Sequence, residues 1–147
     1  GPFTAEMFGD EAEKLRAAGG EYGAATGRPR RVGPFDVPAS RYGVKVQGAD
    51  YIALTKLDVL SYMDRIPVCV AYEVDGVRTE RFPTGDRLNR AKPVIEYMEG
   101  FGDVSKCRTY EELPQAAKDY IAYIEKAVKC PIKYISVGAE RDECIVR

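Results

Sequence analysis

The chain has 147 residues, enough for one domain with a real core. Its 22 basic and 23 acidic side chains leave a net charge of -1, which excludes a global pull toward nucleic acid or an anionic membrane. No apolar run approaches the roughly 18 residues of a membrane helix, and the absence of histidine removes Ser-His and Cys-His nucleophile designs. The four cysteines form no CxxC pair, which also argues against zinc, so no metal site is expected. Cys69, in the apolar run IPVCVAY, reads as a buried thiol of a reducing cytoplasm. The first residue is not Met, so the chain is expected to be a fragment, a processed product or a tagged one. Its acidic, amphipathic start does not read as a signal peptide.

The spacing of Met7, Phe8, Ala12 and Leu15 predicts a helix over 4–18, capped by Thr4 and ended by Gly19 and Gly20. Residues 19–34 are a Gly-rich loop carrying Arg28, Arg30 and Arg31. A second helix starts near Asp36, with Pro38 in its first turn, and runs to about Gln47. DYIALT (50–55) reads as a buried strand and LDVLSYM as a short helix. IPVCVAYEV (66–74) reads as a strand that turns at Asp75-Gly76 and pairs back through VRTERF. Residues 86–92 are a candidate helix and VIEYMEG a candidate strand. The strongest helical pattern covers 111–129, on Tyr120, Ile121, Ile124 and Val128, with Pro131 as its stop. IKYISVG, a turn at 139–142 and ECIVR complete an α/β chain with a mixed sheet and flanking helices.

Three segments suit ligand chemistry. In Gly23–Arg31 small residues let backbone amides approach an anion, and the arginines add forked donors suited to carboxylate or phosphate. The same composition also suits a solvated basic loop, and the spacing matches neither GxGxxG nor GxxxxGK[ST]. Thr55-Lys56-Leu57-Asp58 follows a strand, where open α/β sheets bind ligands. A carboxylate there can accept from guanine N1–H and its exocyclic amine together, whereas adenine would leave it unpaired. Asp58 equally suits the positive end of a short helix. The third segment is Ile135–Arg141, where a strand ends in a small-residue turn that serves as a pocket edge or as a plain junction. The ten tyrosines read as packing residues rather than base-stacking ones, and Glu111 and Glu112 as dipole partners of a helix start.

Taken in order, GPFTAE, EYGAATGRPRR, ALTKLDVL, VCVAYEVDG, ELPQAAKDYI and PIKYISVGAERDECI resemble the C-terminal third of the adenylosuccinate synthetases, over nearly the whole chain. The resemblance implies the C-terminal portion of that larger, P-loop NTPase-like fold, with 1–147 as one such portion and the N-terminal catalytic portion lying outside it. It implies a ligase of AMP biosynthesis. GTP phosphorylates the O6 of IMP, aspartate displaces the phosphate, and adenylosuccinate, GDP and phosphate leave, with Mg2+ balancing charge. By motif, Ala24, Ala25, Thr26, Gly27, Arg28, Pro29 and Arg30 match the aspartate loop, Arg28 the IMP contact, and Arg30 a GTP contact. Lys56, Leu57 and Asp58, with Ser136, Val137 and Gly138, match the guanine-contacting segments. Ala25 stands where the family often has threonine, Pro34 where tryptophan is frequent and Ala139 where proline is common. The resemblance further implies a cytoplasmic homodimer that binds neither nucleic acid nor membrane. No catalytic residue and no Mg2+ ligand is expected in this stretch, which alone is expected to be inactive. A stand-alone guanine-nucleotide-binding module is the alternative.

Overall fold

The computed structural model describes residues 2–147, which form two compact units. The first comprises the chain up to Ala39 together with Pro67–Glu96, and the second Ser40–Ile66 together with Tyr97–Arg147. Helices and strands interleave, and both parallel and antiparallel pairings occur, so the mixed α/β expectation holds.

In the first unit, helix α1 spans Gly9–Gly19, five residues shorter at its start than the 4–18 pattern predicted. Residues 3–8 form a separate turn, in which the Glu6 amide donates to Phe3 O and the Met7 amide to Val32 O. Those bonds and the extended backbone of Phe8 leave Thr4 outside the helix, so it does not cap it. At the other end Gly20 adopts φ 59° and its amide closes onto the last turn, the predicted glycine stop. Strand β1 (Phe35–Asp36) pairs in parallel with the long strand β3 (Arg65–Val74), which turns at Asp75-Gly76 into antiparallel β4 (Val77–Thr79). Strand β5 (Lys92–Glu99) also pairs with β3, after a helix α3 of only four residues, Asp86–Asn89. Ala5, Cys69, Tyr72 and Val74 are the buried core, lined by Phe3, Phe82, Ala91 and Ile95.

Helix α2 (Val37–Gln47) follows β1 directly, and the Ala39 amide donates to Asp36 Oδ1, so Asp36 caps the helix. In the second unit β2 (Ile52–Leu54) runs parallel to β6 (Ile132–Ser136), which pairs antiparallel with β7 (Cys144–Val146). Only alternate residues of β2 are partly covered, so it is a half-exposed edge strand rather than the buried one expected. Helix α4 spans Gln115–Val128, starting four residues later than predicted, because Glu111 and Glu112 belong to the preceding turn. The Glu112 carboxylate accepts from the amides of Arg108 and Thr109, which hold its carboxyl below the usual range. It therefore caps that turn instead of pairing with the α4 dipole. Ala117, Tyr120, Ile121, Ile124 and Val128 form the buried stripe of α4, and Lys129, at φ 60°, ends it before Pro131. Gly100 is confined: a β-carbon there would overlap the carbonyl oxygens of Met63 and Asp64.

Candidate functional site

The arginine-bearing loop lies in the first unit. Tyr22 and Pro29 form an isolated antiparallel bridge, the Gly23 amide donates to Arg28 O (2.9 Å), and the Gly27 amide donates to Gly23 O (2.8 Å). Gly27 at φ 64° supplies the left-handed turn that this tight closure needs. The loop is anchored to α1, where Arg16 Nε donates to Arg30 O (2.9 Å). Arg30 pairs with Glu21 at 3.1 Å, while Arg28 makes no ion pair among the described residues. Ala24 to Arg31 are all exposed. The Thr26 hydroxyl accepts a long bond from the Arg28 amide (3.4 Å) and so shapes the loop as well as lining it. A short closed loop of small residues presenting two guanidinium groups has the donors that suit an anion.

The two segments expected to read guanine meet in the second unit. Lys56, just after β2, adopts the left-handed conformation (φ 61°), and its amide donates to the Ser136 hydroxyl at 2.7 Å. That single bond joins Lys56-Leu57-Asp58 to the turn at the end of β6, across 80 residues of chain. Leu57 is buried and opens the 3-10 helix Leu57–Tyr62, the short helix expected here. Asp58 Oδ1 is sealed from solvent and has no hydrogen-bond partner among the described residues, as is the Ser61 hydroxyl one turn later. A buried carboxylate oxygen without a donor costs stability. Val137 is fully buried, and its amide donates to Glu143 O (2.9 Å), so the Ser136–Gly138 turn is folded back on itself.

Glu143, within the segment whose pattern predicts the final strand, lies instead just before β7. Its carboxylate accepts from the Glu140 amide (2.9 Å) and faces the Arg108 guanidinium at 3.5 Å. Gly138 was the available signal, because its missing side chain leaves the space that this carboxylate fills. Among the described residues no group of three or more His, Cys, Asp or Glu side chains is placed to hold a metal ion.

The family model for adenylosuccinate synthetase matches residues 1–145. The chain belongs to the adenylosuccinate synthetase family. It is 48% identical to the adenylosuccinate synthetase of Synechococcus sp. (strain CC9902), over 99% of this chain and 34% of that protein. It is also 48% identical to that of Sorangium cellulosum (strain So ce56), over all of this chain and again 34% of the relative. The solved structure of fully ligated adenylosuccinate synthetase from Plasmodium falciparum superposes on the whole chain with a TM-score of 0.92 at 40% identity, using 36% of its own length. The chain thus spans about a third of the length of the curated relatives it matches.

Of the residues singled out from the sequence, Lys56 is bonded to Ser136, which links the segment of Leu57 and Asp58 to the turn of Val137 and Gly138. Ala24 to Arg30 form one closed loop within the other unit.

Proposed function

We propose that this chain is the C-terminal portion of a GTP-dependent ligase that joins IMP and L-aspartate into adenylosuccinate, releasing GDP and phosphate. The observation that supports this reading is the Lys56–Ser136 bond, which joins the segment carrying Asp58, one of whose carboxylate oxygens is buried without a donor, to the small-residue turn after β6. Guanine supplies two adjacent N–H donors for such a carboxylate, and adenine supplies none there. Ser136, Val137 and Gly138 offer a pocket edge, and Lys56 lays its apolar stem along the base. In the arginine loop Ala24, Ala25, Thr26 and Gly27 receive the aspartate carboxylates, Arg28 reaches IMP, and Arg30 faces the GTP phosphates and the aspartate. Ala25 contributes its amide where a threonine would add a hydroxyl.

Mg2+ belongs to this reaction as charge balance at the phosphates. The described residues offer no cluster of His, Cys, Asp or Glu that fits it. The groups that perform phosphoryl transfer lie outside this stretch, and the whole protein works as a cytoplasmic homodimer. No helix among the described residues is long and apolar enough to cross a membrane.

The test is adenylosuccinate formation from GTP, IMP and aspartate by the complete gene product and, separately, by the 147-residue chain. Activity in the first and none in the second is expected. A complete product that binds GTP yet makes no adenylosuccinate would favour the binding-module alternative.

A further inference from the structure

We propose that Glu143 is a positioning residue for GTP, holding the Ser136–Gly138 turn in the shape that meets the base. The inference rests on the reading above that this turn contacts guanine. Glu143 grips the turn with main chain and side chain together. Its carbonyl accepts from the Val137 amide at 2.9 Å, and its amide donates to Glu140 O at 3.1 Å. Its carboxylate accepts from the Glu140 amide at 2.9 Å.

The same carboxylate fills the space beside Gly138, where any β-carbon would overlap Oε2. Gly138 and Glu143 therefore form a matched pair, a residue with no side chain opposite one whose side chain occupies the vacated volume. Arg108 steadies the arrangement from outside. Its guanidinium faces Glu143 at 3.5 Å and is itself held by the carbonyls of Ser105 (2.7 Å) and Cys107 (3.1 Å). Glu143 is mostly covered, with 23% of its side chain exposed, so its contacts are less screened than those of a surface pair.

The Lys56 amide is bonded to Ser136 Oγ at the start of this turn. A shift in the turn is thus passed to Lys56, the residue that precedes the 3-10 helix carrying Asp58. Glu143 touches no reacting atom, so its loss should act on GTP affinity rather than on turnover.

The experiment is steady-state kinetics on the complete gene product and its variants. Glu143→Ala is expected to raise KM for GTP about tenfold, the ratio matching one lost charge-assisted hydrogen bond. The KM values for IMP and aspartate and kcat should stay within about twofold. Glu143→Gln keeps an acceptor for the Glu140 amide and should restore most of the GTP affinity. Gly138→Ala should raise KM for GTP in the parent but by less in the Glu143→Ala background, where the overlap is gone. Arg108→Ala, which leaves the Glu143 carboxylate in place and removes its outer contact along with the bonds to the Ser105 and Cys107 carbonyls, should raise it about threefold and decides the matter if Glu143→Ala does not fold. An unchanged KM for GTP in Glu143→Ala, or a parallel rise for all three substrates, overturns the proposal while the functional reading stands. A wild-type product that does not use GTP overturns both.

Discussion

Replacing Tyr72 by phenylalanine removes one hydroxyl from a buried pair and should be costly out of proportion to its size. Tyr72 is fully buried, and its hydroxyl donates to Asp36 Oδ2 at 2.6 Å, while Oδ1 accepts the Ala39 amide at the start of α2. Burial pushes the Asp36 carboxyl above its ordinary range, against the opposing pull of the Tyr72 and Ala39 hydrogen bonds. Burial and the Asp36 carboxylate together push the Tyr72 phenol up, so the phenol stays protonated and acts as donor at neutral pH. The variant leaves a half-desolvated carboxylate oxygen without its donor, a loss of about 2 kcal/mol for a hydrogen bond to a charged group. For a chain of this size that corresponds to a fall in Tm of roughly 4–8 °C.

The pH dependence has a definite sign. A carboxyl whose folded pKa is raised binds its proton more tightly when folded. The associated stability is complete below the unfolded pKa and is lost as pH rises through the folded value. Without Tyr72 the folded pKa of Asp36 rises further, so the variant's deficit grows as pH rises through this window and shrinks in acid. Urea unfolding of both proteins at neutral pH and near the carboxylate range measures it. A deficit below about 0.5 kcal/mol at neutral pH, or one that is larger in acid, would refute the argument that the phenol supports an ionised Asp36.

Three further outcomes are expected. Gly100→Ala should destabilise by more than about 2 kcal/mol in thermal melts, because the new β-carbon meets the backbone carbonyls of Met63 and Asp64, which cannot swing away. Ile124→Ala, at a fully buried position of α4, should cost about 2–5 kcal/mol in urea unfolding, and a loss under 1 kcal/mol would mean that this face is not packed. Asp58→Ala should leave the melting temperature unchanged or raise it, since it removes a buried oxygen with no partner, while sharply raising KM for GTP in the complete product. Lost stability without a GTP effect would return Asp58 to a structural role.

Legibility varied along the chain with the range of the forces involved. The stripe on α4, the Asp75-Gly76 hairpin and the glycine stop after α1 follow from spacing and backbone preference within a few residues, and they stand where the pattern put them. The start of α1 departs from the pattern because the Met7 amide goes to Val32, a partner 25 positions away that no local pattern announces. The α4 start departs for a similar reason: Glu112 finds two amides in the preceding turn, and the helix opens only after Pro114.

The candidate site divides in the same way. The ordered motifs carry the family, whose model matches residues 1–145. The glycine and arginine content of residues 23–31 is by itself suited to an anion, because that chemistry resides in the residue types themselves. Only the tertiary structure decided that Lys56 bonds to Ser136 and that Asp58 keeps a buried oxygen without a donor. It alone decided that Glu143 fills the space Gly138 leaves. Each of these is a contact between distant residues or a volume shared by them. Such properties exist only once the chain has folded, because burial and shared volume depend on neighbours that the local sequence does not specify.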